Sequence, residues 1–388
     1  MTTLPEAFAA AMARLGPFTA VPRLSVAVSG GADSSALALL AQGWAAERGG
    51  DVLALIVDHG LRQDSAAEAA LTASRLQGSG IASRVLTLAD LHGAGLQERA
   101  RAARYEILAA AARDAGRPHL LLGHHEADQA ETVAMRAARG AGGAEGMPAW
   151  SARRDVVLVR PLLRVEPGEL RVYLRARGIG WVEDPSNLLR RFERVRWRQA
   201  GVAPAATEAA AMARRVVEME AAAFLARVAT FHGEGFVRLD APSAPASALA
   251  ALLRSVGGAD YKPRQGAVAA LAQKLRPATL GGVRVVPAGR LGSGWLLCRE
   301  PAACAPPIEA RASVIWDQRF RLDAEPPPGS HFGALGADAA QFRKFNGLPT
   351  LVLRTMPCLR GPGDGAPLFP VQARFSPPAP VTSLPFFS

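Results

Sequence analysis

The feature that most constrains this chain is the turn inside Leu24 to Leu40, LSVAVSGGADSSALALL, where the apolar run Leu24–Val28 enters Ser29-Gly30-Gly31-Ala32-Asp33-Ser34 and leaves in a helical apolar pattern. A strand that feeds a glycine turn and then a helix brings backbone N–H groups and the positive end of a helix to one point, which makes an oxyanion cradle. It is not a Walker A loop, which needs GK[ST], because the only lysines are Lys262, Lys274 and Lys344. Nor is it GxGxxG, since the two glycines are adjacent and an aspartate follows. A carboxylate inside a phosphate loop repels its ligand unless a cation lies between them, so Asp33 points to Mg²⁺. Taken alone, the same residues also describe an ordinary turn with Asp33 or Ser34 capping a helix.

The alternation continues beyond this turn. Leu24–Val28, Val52–Val57, Arg84–Leu88 and His119–Leu122 read as strands, and Ser34–Arg48, Ser65–Gly78, Gln97–Ala115 and Ala127–Arg139 show helical spacing. This predicts an α/β domain over residues 1–203, a parallel sheet with helices on both faces. Such sheets bind ligands at the carboxyl ends of their strands. The richest polar clusters follow Val28, Val57 and Leu122, so one cleft gathers them. The Ala- and Glu-rich stretch from Pro204 to Val228 reads as one long helix, giving a helical linker over 204–230. Residues 231–388, broken at PAACAPP and EPPPGSH, read as a smaller α+β region of one or two subdomains, in which GGVRVVPAGRLGSGWLLCRE and LPTLVLRTMPCLRG alternate like strands.

Composition narrows the function. No run of about 18 uncharged apolar residues occurs, and Met1 to Ala20 lacks a signal-peptide pattern; a soluble, cytoplasmic chain with no membrane partner is expected. The three cysteines, Cys298, Cys304 and Cys358, form no CxxC pair, which argues against a disulfide framework, a zinc cluster and sulfur chemistry in the N-terminal half. The net charge of +11 is uneven: residues 151–200 hold twelve arginines against six acidic residues. A basic stripe of that kind is the footprint of a nucleic-acid partner.

Two further clusters carry chemistry. Asp58 and His59 end the second strand and face the same cleft edge as the loop, although a histidine at a strand end is more often structural. In LGHHEADQAETVAMRAARGAG, a helix starting near Glu126 puts Asp128, Glu131 and Thr132 on one side at spacings of three and four, and Arg136 and Arg139 continue the stripe. With His124 and His125 just upstream, these carboxylates suit Mg²⁺, an ammonium ion or a general base. They equally describe a solvated helix face with ion pairs.

Ser-Gly-Gly-x-Asp-Ser after a first strand resembles the PP-loop of the ATP pyrophosphatase-type families, which cut ATP between the α and β phosphates and adenylate a substrate carbonyl. Asp-His-Gly-Leu-Arg is similar to the second motif of one branch. GHH…DQAETVxxRxxRG, followed in order by EGMPA, RPLLRV and WVEDPSN…RFERVRWR, resembles the tRNA(Ile)-lysidine synthetase family over about residues 20 to 200. The weaker matches LQERARAARYEIL and WDQRFRL agree with it. The chain departs where the family often has Arg-Asn-x-Ile-Arg: Arg194-Val195-Arg196-Trp197-Arg198 keeps the arginines and loses the amide.

The resemblance implies a ligase that uses ATP and Mg²⁺ to adenylate the wobble cytidine of the CAU-anticodon isoleucine tRNA, after which L-lysine displaces AMP. It implies ATP binding by Ser29, Gly30, Gly31, Ala32, Asp33, Ser34, Asp58 and His59, with Mg²⁺ on Asp33. Lysine binding and proton acceptance fall to Asp128 and Glu131, beside Thr132 and Arg136, and adenylate or phosphate contacts to Arg194, Arg196 and Arg198. Arg139, Arg153, Arg154, Arg171 and Arg175 are the expected tRNA contacts, with Arg160, Arg164 and Arg177 adding charge. PP-loop thiolation enzymes use cysteines near the loop or CxxC pairs, and glutamine-dependent relatives need an ammonia source, commonly an N-terminal cysteine domain; no cysteine precedes Cys298. A non-catalytic nucleotide-sensing or RNA-binding descendant would not need Asp33, Asp128 and Glu131. Nothing in the sequence separates a monomer from a homodimer.

Overall fold

The computed structural model describes residues 2–58, 60, 64–88, 96–138, 146–182, 206–362 and 366–381, with backbone alone at 96–98, 133–138, 206–212 and 343–346. The chain divides into two compact units, Met1–Arg214 and Arg215–Ser383.

The first unit opens with α1 (Leu4–Leu15), started by a capping box in which the Thr3 hydroxyl accepts the Glu6 N–H and the Glu6 carboxylate accepts the Thr3 N–H. Then follow β1 (Arg23–Val28), α2 (Ala32–Ala46), β2 (Asp51–Asp58), α3 (Ser65–Gly78), β3 (Ala82–Thr87), α4 (Leu96–Asp114), β4 (His119–Leu121), α5 (Glu126–Ala138), β5 (Trp150–Ala152), β6 (Val157–Val159) and α6 (Pro167–Arg175). They build one six-stranded sheet in the order β3-β2-β1-β4-β6-β5, parallel except for β5.

Strand periodicity explains the layers. On β1 and β2, Leu24, Val26, Val28, Val52, Ala54 and Ile56 pack with Phe8 and Met12 of α1, Leu37 and Leu40 of α2, Leu76 of α3 and Leu170 of α6. The intervening Ala27 and Leu55 pack on the opposite face with Leu108 and Ala112 of α4. A strand buried on both faces must be apolar at every position, which is why the run is continuous rather than alternating. The expected parallel sheet with helices on both faces is present. β1 sits in the middle, paired to β2 and β4, so the ends of these three strands lie side by side.

The second unit contains the C-terminal part of α7 (Ala206–Val228), then β7 (Ala229–His232), β8 (Phe236–Leu239), α8 (Ala246–Gly257), α9 (Gln265–Gln273), β9 (Ala278–Leu280), β10 (Val283–Pro287) and β11 (Trp295–Arg299). The strands form an antiparallel sheet, β7-β8-β11-β10-β9, with Leu249, Leu252 and Leu253 of α8 and Leu271 of α9 packed on it. Beyond it lie β12 (Ile308–Glu309), β13 (Ile315–Trp316), β14 (Phe320–Leu322), β15 (His331–Ala334), α10 (Ala339–Asn346), α11 (Thr350–Leu353), β16 (Pro357–Arg360) and β17 (Ala373–Phe375), arranged as the small sheets β12-β15-β16 and β13-β14-β17.

One sequence expectation changes here. LPTLVLRTMPCLRG forms a strand only in its second part, Pro357–Arg360; before it Pro349 caps the short helix α11, which buries the neighbours Val352 and Leu353 together where a strand would send them to opposite faces. WDQRFRL, Trp316 to Leu322, runs from the end of β13 through a tight turn into β14, and in that turn Asp317 and Gln318 take left-handed φ values of 51° and 54°. The Asp317 carboxylate there accepts from Arg299 at 2.8 Å and from Arg319 at 2.7 Å inside the core. No helix among the described residues is long and apolar enough to cross a membrane.

Candidate active site

The loop after β1 has the geometry of an anion seat. Gly30 adopts φ +84°, and a Cβ there would lie 2.5 Å from Thr72 Oγ1, so the turn requires glycine. The Gly30 carbonyl accepts the Val182 N–H at 2.8 Å, which fixes the loop from outside. Gly31 is the extended N-cap of α2 and makes no side-chain cap bond. The first N–H groups of a helix have no intrahelical acceptor; here they belong to Ala32, Asp33 and Ser34, at the carboxyl end of the central strand. Ser34 turns inward: its hydroxyl accepts the Ser29 N–H at 3.1 Å and lies 3.2 Å from the Gly31 carbonyl, to which it donates. It braces the loop from within.

The turn after β4 packs directly on this loop. A Cβ at Gly123 would stand 3.1 Å from Ser34 Cα and 3.3 Å from the Asp33 carbonyl carbon. His125, 5% exposed, comes two residues later. Its Nε2 lies 3.4 Å from Asp33 Oδ2 and 3.5 Å from Asp128 Oδ2. Asp33 and Asp128 are thereby brought together at one sheet edge, and the buried Glu131 lies one helical turn beyond Asp128 on α5. The Thr132 hydroxyl donates to the Asp128 carbonyl at 2.8 Å, a bond within α5.

Asp33 Oδ1 is buried with no hydrogen-bond partner among the described residues. A buried carboxylate oxygen without a donor costs free energy that a cation relieves. No group of three or more His, Cys, Asp or Glu forms a metal cage among the described residues. Mg²⁺ does not need one, because it ordinarily takes one or two carboxylates and completes its shell with phosphate oxygens and water. The residues present fit it.

His124 lies beside this edge with its Nδ1 buried and unpartnered among the described residues. Burial, assisted by the Arg160 charge, pushes its pKa down from 6.5 to about 4. The ring is neutral at pH 7. Between pH 6.5 and about 4 the unfolded chain takes up a proton that the folded chain refuses, so this group's stability is present above pH 6.5 and is lost as pH falls. Replacing it by glutamine is expected to flatten the stability loss over that window in urea titrations; an unchanged slope contradicts a buried neutral ring.

Other expected residues fall as follows. Asp58 Oδ1 accepts from the Gly60 N–H at 3.0 Å and the Ser65 hydroxyl at 2.6 Å, shaping the entry to α3. Arg153 and Arg154 sit in the β5–β6 turn, where the Arg153 N–H donates to Val156. Arg171 and Arg175 are exposed on α6, and the Arg175 guanidinium lies 5.7 Å from the Trp181 ring centroid. Arg160 is not surface charge: it is buried and donates to the Pro148 carbonyl at 2.8 Å. His59, Arg139, Arg194, Arg196 and Arg198 lie outside the described residues, as does the side chain of Arg136.

One residue escapes sequence reasoning altogether. Gln129, buried on α5, clamps Met147 in both directions, its Oε1 accepting the Met147 N–H at 2.6 Å and its Nε2 donating to the Met147 carbonyl at 3.0 Å. A Cβ at Gly146 would collide with that amide at 2.5 Å. The signal lies in the pairing of DQAET with EGMPA, a polar helix residue and a glycine two motifs apart.

Residues 5–205 match a family model described as a PP-loop domain. With the loop at the end of the central parallel strand, this makes the first unit an ATP-binding PP-loop domain. A curated tRNA(Ile)-lysidine synthase from Mesorhizobium japonicum is 38% identical over 346 residues, 81% of this chain and 76% of that protein. The enzymes of the same name from Ruegeria pomeroyi and Hyphomonas neptunium are 39% and 36% identical over 82% and 72% of this chain, and 81% and 83% of their own lengths. The chain belongs to the tRNA(Ile)-lysidine synthase family. Burial disfavours the thiolate at each cysteine, pushing Cys298 up to about 12 and raising Cys304 and Cys358.

Proposed function

We propose that this chain joins L-lysine to the wobble cytidine of the CAU-anticodon isoleucine tRNA in two ATP-driven steps, and that it works in the cytoplasm. The observation that carries the reading is the meeting of Asp33, on a PP-loop, and Asp128 of α5 at one imidazole, with the buried Glu131 one turn further along the same helix. In the first step the cytidine carbonyl oxygen attacks the α-phosphorus of ATP, the bond to the β-phosphate oxygen breaks, and pyrophosphate leaves. The N–H groups at the start of α2 face the charge that develops there. Mg²⁺ held by Asp33, with Asp128 close by, would neutralise phosphate charge.

In the second step the lysine side-chain amine attacks the activated carbon, AMP leaves with the former carbonyl oxygen, and the nitrogen loses a proton. Asp128 and Glu131 suit both the arriving ammonium and the departing proton. A carboxylate at this buried edge binds a cation more strongly than one in water does. The arginines on α6 and in the β5–β6 turn supply positive surface for an RNA backbone, and an anticodon loop can splay its base into a cleft. Residues 231–388 are read as the further tRNA-contacting region, behind the linker over 204–230.

Incubation with ATP, Mg²⁺, labelled lysine and the CAU-anticodon isoleucine transcript tests this. Label is expected to stay on that RNA and not on methionine tRNA; ATP-dependent labelling of another base, or none, overturns it.

A further inference from the structure

We propose that His125 is a positioning residue that fixes the span between Asp33 of the loop and Asp128 of α5, holding the nucleotide side and the lysine side of the cleft at one separation. The inference rests on the reading of this cleft as an Mg²⁺–ATP site. Two carboxylates on different elements facing one point repel each other, so their separation needs a cause. The imidazole is that cause. It is buried, and its Nε2 stands 3.4 Å from one carboxylate and 3.5 Å from the other.

The ring's orientation is set by its own backbone. His125 precedes α5 and makes a reciprocal cap with Asp128: its Nδ1 accepts the Asp128 N–H at 3.4 Å, and the Asp128 carboxylate accepts the His125 N–H at 3.1 Å. A neutral imidazole whose Nδ1 accepts carries its proton on Nε2. The protonated nitrogen is therefore the one standing 3.4 and 3.5 Å from the two carboxylates. One side chain starts the helix with one nitrogen and spans the cleft with the other.

Two independent contacts keep the turn where this span works. Gly123 presses backbone to backbone on Asp33 and Ser34, at distances where a Cβ would be 3.1 to 3.3 Å from their main-chain atoms. From behind, the Glu126 N–H donates to the Val165 carbonyl at 3.2 Å. A histidine used only as a helix cap would need neither the close approach at Gly123 nor the second carboxylate.

Substitutions separate the two jobs. His125→Asn keeps a capping acceptor but cannot reach Asp33, His125→Ala loses both, and Gly123→Ala wedges the turn off the loop with the imidazole intact. The full chain is measured in two ways: thermal midpoint without nucleotide, and the Mg²⁺ concentration that gives half of the ATP-dependent rise in that midpoint. His125→Asn is expected to keep the nucleotide-free midpoint near wild type while raising the Mg²⁺ requirement about ten- to a hundredfold, the usual effect of removing a group that orients a metal ligand. Gly123→Ala should shift the Mg²⁺ requirement in the same direction. A wild-type Mg²⁺ requirement in both His125→Asn and Gly123→Ala overturns the positioning role alone; no Mg²⁺–ATP shift in the wild-type chain overturns the nucleotide reading and this inference with it.

Discussion

Asp33→Asn is expected to abolish ATP-dependent labelling of the tRNA, with a fall of at least about a hundred- to a thousandfold, the range for removing a single group preorganised toward developing charge. The substitution keeps the size of the side chain and its place in the first turn of α2, and it removes the negative charge. Asp33 is 35% exposed at its side chain and carries one buried oxygen with no partner among the described residues. Structural loss should therefore be small: an exposed acid at a helix start contributes about 0.3 to 1 kcal/mol, and the amide supplies a donor of its own. Pyrophosphate release that depends on the tRNA is the measurement. Near-normal release with Asn at this position sinks the metal role, because nothing else about the loop has changed.

Much of the first unit was legible because its strands are buried on both faces. Leu24–Val28 and Val52–Val57 are continuous apolar runs for that reason, and in a parallel sheet the polar residues that follow them must sit at one edge. What escaped depended on partners distant in the chain. β5 and β6 have three residues each, too few for a periodic signal, and they lie inside the basic stretch. Arg160 counts as surface charge in the sequence, yet its acceptor is the carbonyl of Pro148, brought over by the pairing of those two strands. Gln129 sits between Asp128 and Glu131 and reads as one more solvated polar residue; only the fold carries Met147, 18 residues on, to its amide.

The loop itself illustrates the division between composition and geometry. Six residues announce an anion seat, but Ser29 and Ser34, the natural candidates for phosphate contacts, are bonded to each other's segment. The seat is therefore made of backbone, held open by serine, and its one acidic side chain is left to deal with a cation. His125 was visible as half of a histidine pair, while its two-sided contact was not, since the distance from Asp33 to His125 spans 92 positions of sequence and is set by β1 pairing with β4.

Glu131→Ala should raise the lysine concentration needed for half-maximal ligation about 30-fold or more, while formation of adenylated RNA remains detectable by the pyrophosphate that ATP releases in that step. Glu131 is 5% exposed, so its carboxylate acts out of bulk water. Truncating one partner of a buried charge pair costs about 2 to 5 kcal/mol, and each 1.4 kcal/mol is about tenfold in affinity. Asp128→Ala is expected to share the lysine defect and to add a higher Mg²⁺ requirement, because Asp128 and Asp33 lie against the same His125 Nε2. The pair of variants thus separates the two ends of the cleft: adenylation survives at Glu131→Ala and weakens at Asp128→Ala. If Glu131→Ala instead loses ATP binding and leaves the lysine requirement unchanged, the carboxylate belongs to the metal and the ammonium subsite lies elsewhere.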